Sequence, residues 1–109
     1  MKTPLLLTAL LSLGVVTTSF AADAKANWEE HCAKCHGADG KGDTKMGKKL
    51  HIRDLTDAKV QAAFTDEEGV KAIKEGRKDD SGKTLMKAND EVSVDEAKAL
   101  VQFVRTLKS

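Results

Sequence analysis

The stretch Cys32-Ala33-Lys34-Cys35-His36 contains both cysteines of this 109-residue chain. It lies in a segment rich in alanine, glutamate and lysine, which predicts a helix. On a helix, residues at i, i+3 and i+4 share one face, so Cys32, Cys35 and His36 project toward one object. The spacing therefore predicts a single site built from these three side chains.

Two thiols at this separation can bond the two vinyl groups of a haem as thioethers, with His36 over the iron. The pattern Cys-x-x-Cys-His is the attachment motif of c-type haem. It predicts one haem c per chain, bound covalently through Cys32 and Cys35, with His36 as a ligand of the iron.

Other uses of a Cys-x-x-Cys pair stay open as alternatives. A thioredoxin-like redox pair requires βαβ elements, which the sequence pattern lacks. A reducible structural disulfide needs no cofactor at all. A zinc site needs four ligands, and the two remaining histidines, His31 and His51, show no ligand spacing. The motif therefore favours haem over a redox pair, a disulfide or zinc.

The N-terminal segment indicates export. Lys2 is followed by an apolar run, residues 5–16, which is shorter than the roughly twenty residues that span a bilayer. This pattern is typical of a secretory signal peptide, and small residues favour cleavage after Ala21. We therefore predict a cleaved signal peptide at residues 1–21 and one periplasmic domain at residues 22–109.

The composition is that of a soluble globular chain with a thin core. Charged residues make up 32% and apolar residues 40%, and the formal charge of +1 gives no basic field for binding nucleic acid. Aromatic residues make up only 4%, without a tyrosine, so side chains alone would form a small core. A prosthetic group that fills the centre of the domain accounts for this.

Helical signals dominate the mature chain, and no segment alternates for long like a strand. Helices are predicted at 24–35, at 57–63, from the capping box Thr65–Glu68 to Gly76, and from the capping box Ser93–Glu96 onward. The expected class is all-α, with three to four helices around one haem. Loops as long as 37–55 and 77–91 normally have a functional reason or a ligand to fold around.

A second axial ligand of the iron would decide between electron transfer and an open, reactive site. The candidates are Met46, Met86, His31 and His51. His31 adjoins Cys32, on the His36 side of the ring, and Met46 and His51 follow His36 closely. Met86 lies on the second long loop, fifty residues after His36. We favour Met86 as the ligand and interpret Met46 as a packing residue.

Together these residues resemble the class I monohaem cytochromes c, in particular the small bacterial electron carriers, over essentially the whole mature chain. The resemblance implies thioethers at Cys32 and Cys35, His36 as the proximal ligand and Met86 as the distal ligand. It also implies further contacts: Trp28 packed against Leu100 and Phe103, Leu50 on the haem, and Asn89 bonded to the methionine sulfur.

Two positions depart from the family pattern. Lys87 follows Met86 where the family commonly has proline, which leaves the ligand loop less rigid. Lys48 replaces a proline whose carbonyl accepts the N–H of the proximal histidine. Because a carbonyl remains at residue 48, we expect that hydrogen bond to persist. Lys48, Lys49 and Arg53 are candidates to pair with the haem propionates.

The expected function is a periplasmic electron carrier that cycles between Fe(III) and Fe(II) and is not an enzyme. Its expected partners are redox proteins, a donor and an acceptor, with Lys34, Lys83 and Lys87 as a candidate docking patch. We expect a monomer without nucleic acid or stable membrane insertion. The alternatives are an open-site haem protein, a sensor or peroxidase-like enzyme with Met86 not ligated, and a dithiol–disulfide exchanger without haem.

Overall fold

The computed structural model describes residues 20–109. The predicted signal peptide, residues 1–21, therefore lies outside the described residues except at its end. The described part begins with one continuous helical segment, formed by α1 (Phe20–Asn27), a π-helical turn (Trp28–Cys32) and α2 (Ala33–His36). Gly37, with a φ of 85°, ends it. No helix within residues 20–109 is both long and apolar enough to cross a bilayer.

Capping residues set the starts of the later helices. The elements are α3 (Lys45–Lys49), α4 (Ala58–Ala62), α5 (Asp66–Glu75), β1 (Arg77–Lys78), β2 (Thr84–Met86) and α6 (Val94–Thr106). In the capping boxes of α5 and α6, Thr65 pairs with Glu68 and Ser93 pairs with Glu96, so that each pair satisfies free backbone N–H groups. The two predicted capping boxes and the predicted end of α5 at Gly76 are confirmed.

Both long loops contain secondary structure that the sequence pattern does not predict. α3 lies in the first loop, and β1 pairs antiparallel with β2 in the second, with Arg77 opposite Met86. The five residues of α3 are too few for helical periodicity, and strands of two and three residues are too short to alternate visibly. Within the described residues this ribbon is the only sheet, and the predicted all-α class is confirmed.

α6 lies at the centre of the fold, packed against α1 and α5. The buried apolar side chains are Ala24, Trp28, Ile73, Val92, Ala97, Leu100, Val101 and Val104. The ring centroid of Trp28 lies 5.6 Å from that of Phe103, at an interplanar angle of 45°. The packing of Trp28 against the last helix, which the resemblance implied, is therefore present.

Arg105 fastens the end of α6 to α4 and to the segment that follows it. Its guanidinium donates to the carbonyls of Gln61 (2.6 Å) and Phe64 (2.8 Å), to Gln61 Oε1 (2.9 Å) and to the Asp66 carboxylate (2.9 Å). Gln61 is buried and donates in turn to the Val104 carbonyl, at 2.9 Å. Arg105 and Gln61 thus satisfy backbone carbonyls on both sides of this contact.

Candidate haem site

The π-helical turn sets the direction of the attachment motif. In this turn the N–H of Ala33 donates to the carbonyl of Trp28, five residues back instead of four. The additional residue shifts the side chains of α2 relative to those of α1, and single π turns occur often at functional sites. Cys32 ends the π turn and Cys35 lies in α2, both half-buried and unpaired.

His36, the last residue of α2, presents a neutral imidazole. Burial lowers the pKa of His36, and the neutral ring is the form that binds metals. Its Nδ1 is buried and has no hydrogen-bond partner. The ring centroid of Trp28 lies 5.4 Å from that of His36, and the Trp28 indole N–H donates to the Gly37 carbonyl at 3.1 Å. Trp28 therefore positions both His36 and the turn after it.

The hydrogen bond expected from His36 to the Lys48 carbonyl is not formed. Lys48 has an N–H group, which a proline lacks, and donates it to the Thr44 carbonyl at 2.9 Å, so residue 48 continues α3. Its own carbonyl accepts the backbone N–H groups of Leu50 and His51. Residue 48 is thus part of α3, and His36 Nδ1 has no hydrogen-bond partner.

α3 is held directly against the backbone of the motif. The Thr44 hydroxyl caps α3 by accepting the Gly47 N–H at 2.8 Å, and it donates to the Cys35 carbonyl at 2.6 Å. A Cβ on Gly47 would lie 2.7 Å from the Cys35 carbonyl oxygen and closer still to the carbonyl oxygen of Gly42. This contact was missed from the sequence, where the only signal is a threonine three residues before a glycine.

Met86 ends β2 and borders the same core as the motif. It is half-buried, and both Met86 and Cys32 pack against the core cluster. Asn89, which the resemblance links to the methionine sulfur, accepts the Glu91 N–H on its side-chain oxygen at 3.0 Å. The side-chain NH₂ group of Asn89 is then the group that could donate a hydrogen bond to the methionine sulfur.

The other three candidate axial ligands lie in different surroundings. Met46 is half-buried on α3, and His51 is exposed just beyond it. The His31 side chain is 16% exposed and lies between carboxylates, 3.8 Å from Glu30 and 3.9 Å from Glu91. Both distances are longer than a hydrogen bond, so His31 lies beside these carboxylates without bonding to them.

The lysines named as possible docking or propionate-binding groups are all on the surface. Lys34, Lys83, Lys87, Lys48 and Lys49 are exposed, as is Arg53. Lys48 pairs with Asp43 at 3.2 Å. Whether these cations face a redox partner or the propionates stays a prediction.

The donor set fits a covalently held haem. It comprises two free thiols, a neutral imidazole with a buried unpartnered nitrogen, and a half-buried thioether. Within residues 20–109, three or more His, Cys, Asp or Glu side chains do not gather into a metal-binding cluster. Iron that brings its own macrocycle needs only axial donors, which is what these residues supply.

Known proteins resemble this chain in sequence and in fold. The family model for cytochrome c matches residues 21–108. The solved structure of the KustC0563 c-type cytochrome has 34% sequence identity and a TM-score of 0.67, over 79% of this chain and 98% of that one. A tyrosine-to-phenylalanine mutant of Kustc0563 has 36% identity and a TM-score of 0.65, over 79% and 99%. No curated protein matches the sequence.

Proposed function

We propose, because this chain belongs to the cytochrome c family, that it is a periplasmic electron carrier whose haem iron is held between His36 and Met86. Family membership implies covalently attached haem c and a role in electron transfer. The observation that carries the finer proposal is the neutral His36 ring, buried and unpartnered at Nδ1, beside two free cysteines.

Each predicted site residue has a distinct role in this proposal. Cys32 and Cys35 would hold the group through thioethers, and His36 and Met86 would bind its iron. Haem c, when bound, supplies a one-electron couple between Fe(III) and Fe(II). A thioether donates less charge than a second imidazole, so Met86 favours the reduced state and raises the reduction potential.

The unpartnered Nδ1 of His36 is also expected to raise the reduction potential. An acceptor on that nitrogen would make the imidazole more basic and favour the oxidised iron. If Nδ1 keeps no acceptor, His36 would donate less charge to the iron. The buried side chains of Trp28, Ile73 and Leu100 exclude water and disfavour the additional charge of the oxidised site.

The surroundings of the site support electron transfer over catalysis. A general acid or base must reach a bound substrate, and the side chain of the nearest histidine in sequence, His31, is only 16% exposed. Two axial protein ligands would also leave no position on the iron for a substrate. We therefore propose that the chain passes electrons between redox partner proteins and catalyses no reaction.

One observation favours an open-site haem protein as the second candidate: Lys87, rather than a proline, follows Met86. A looser loop would let Met86 leave the iron. The absorption spectrum of the purified unmodified protein distinguishes the two. We expect a ferric charge-transfer band near the red edge of the visible range and no rapid CO binding by the reduced protein. Rapid CO binding would establish the open site.

A dithiol exchanger without haem is disfavoured by the thiols themselves. In the free-thiol form, burial and the neighbouring Cys35 raise the pKa of Cys32 to about 11. Disulfide exchange requires a thiolate, so Cys32 is a poor nucleophile at neutral pH. Denatured protein that keeps its haem and has no free thiols would exclude this candidate.

The periplasmic location rests on the predicted signal peptide, residues 1–21. The family model begins to match at residue 21, next to the predicted cleavage after Ala21. We expect protein from a periplasmic extract to begin at Ala22, which N-terminal sequencing measures. Full-length chain recovered from the membrane fraction would contradict cleavage.

A further inference from the structure

Met86 lies beside the C-terminal end of α5, at a point where α5 has no side chain. We propose that Gly76 is the positioning residue of the Met86 ligand, because its missing Cβ allows the Met86 main chain to lie against the end of this helix. The proposal rests on the ligation of iron by His36 and Met86 proposed above.

The space around Gly76 is filled by the backbone of the ligand loop. A Cβ at this position would lie 2.5 Å from the Met86 carbonyl oxygen, 2.7 Å from the Ala88 nitrogen and 3.0 Å from the Lys87 carbonyl carbon. These are main-chain atoms, so no side chain can rotate out of the way. Any larger residue at position 76 therefore has to displace the segment that carries the ligand.

The conformation of Gly76 adds a second restriction. Its φ of 77° and ψ of −176° lie in a region that is essentially reserved for glycine. In this conformation its N–H still donates to the Ala72 carbonyl at 2.9 Å, and the chain leaves α5 directly into β1. Gly76 thus ends the helix and turns the chain into the strand that pairs with Met86.

Further contacts fasten the ligand loop along the last turn of α5. Arg77, the next residue, is the β-ladder partner of Met86. The Asn89 N–H donates to the Ile73 carbonyl at 2.9 Å, and the Lys74 ammonium donates to the Val92 carbonyl. Ile73 is itself buried in the core. The loop from Met86 to Val92 therefore takes its position from α5.

Residue 87 cannot supply this restraint. Lys87 is exposed, and a lysine leaves φ free where a proline ring would fix it. Instead, the chain around Lys87 is restrained by the close contact at Gly76 and by the Asn89 hydrogen bond.

The variant Gly76→Ala tests the proposal, with Gly82→Ala as the matched control. Gly82 lies in the turn between β1 and β2, also at positive φ (86°), but a Cβ there meets nothing within 4 Å. In ferric holoprotein we expect Gly76→Ala to lose the charge-transfer band, and in reduced protein to bind CO at least about tenfold faster. Gly82→Ala should behave as the unmodified protein does.

The outcomes separate this proposal from the ligation itself. A band that is present in the unmodified protein and persists in Gly76→Ala overturns the role of Gly76 alone. Equal loss of the band in both glycine variants also overturns it, because strain without contact would then suffice. If the unmodified protein lacks the band, the ligation by Met86 fails and the role of Gly76 fails with it.

Hydrogen exchange on the unmodified protein keeps the proposal testable if Gly76→Ala does not fold. Imidazole added to the ferric protein competes with Met86 for the iron. We expect this to speed exchange of the Asn89 amide, bonded to Ile73, by about tenfold or more. The Ala97 amide, bonded to the Ser93 carbonyl at 2.8 Å within α6, is the control and should not change. Unchanged exchange at Asn89 would overturn the proposal, because Met86 would then move independently of α5.

Discussion

Replacing Met86 with alanine is expected to open one axial position of the iron. The ferric charge-transfer band should disappear, and the reduced protein should change from no rapid CO binding to full occupancy. The reduction potential should fall, because the thioether that favours Fe(II) is gone. Visible spectroscopy, CO titration and potentiometry of the purified holoprotein measure these three effects. Covalent attachment through Cys32 and Cys35 should keep the haem in place throughout.

Met46→Ala is the matched control for this experiment. Met46 is the other methionine beyond the predicted signal peptide, and it is also half-buried, on α3. Its truncation should leave the band and the CO behaviour intact and lower the free energy of unfolding by about 1–2 kcal/mol, through lost packing. Loss of the band in Met46→Ala with retention in Met86→Ala would reverse the ligand assignment.

The second large effect is expected on stability, from Arg105→Met. The substitution keeps an unbranched chain of similar length but leaves the carbonyls of Gln61 and Phe64, as well as Gln61 Oε1, without their charged donor. The Arg105 side chain is only 27% exposed, so water replaces these bonds poorly. We expect the free energy of unfolding to fall by about 2–4 kcal/mol. Denaturant unfolding of the holoprotein at pH 7 measures it.

Gln102→Ala is the comparison for Arg105→Met. Gln102 donates to the Asp66 carboxylate at 3.1 Å and is exposed, so its loss should cost less than about 0.5 kcal/mol. Equal losses in the two variants would mean that the Asp66 contact, rather than the backbone carbonyls, is what stabilises this region.

The pH dependence of Arg105→Met follows from Asp66. The hydrogen bonds from Arg105 and Gln102 lower the pKa of Asp66 from 3.8 in the folded state. The Asp66 contribution is therefore present above pH 3.8 and is lost as the pH falls through the lowered folded value. The stability gap between the unmodified protein and Arg105→Met should shrink over that range. A gap that widens on acidification would contradict this sign.

The sequence predicted those features that local chemistry determines. The capping boxes at Thr65 and Ser93 and the helix end at Gly76 are encoded within four residues of each site. α3 was not predicted, because its capping residue Thr44 also bonds to the Cys35 carbonyl, which lies near it only in the folded chain. The Arg105 contacts join residues about forty positions apart, so no local pattern reveals them.

The chemistry of the site stays a prediction from the motif, and its geometry differs in part from what the sequence indicated. The motif names Cys32, Cys35 and His36, but an uninterrupted helix was assumed where the structure has a π-helical turn. The sequence did not predict that Lys48 would belong to α3, or that His36 Nδ1 would have no hydrogen-bond partner. The close contact between Gly76 and Met86 joins two segments that are separate in sequence, so neither segment alone predicts it.

The π-helical turn determines how the side chains of the attachment motif are oriented around the helix axis. The five residues of the motif determine which groups can form thioethers and bind iron. The additional residue in the π turn determines the direction in which these side chains leave the helix axis. In an α-helix each residue adds about 100° of rotation. A related chain without the additional residue would carry the same five-residue motif turned by about that angle around the helix axis. The same motif can therefore face a different side of the protein, depending on whether the helix before it contains a π turn.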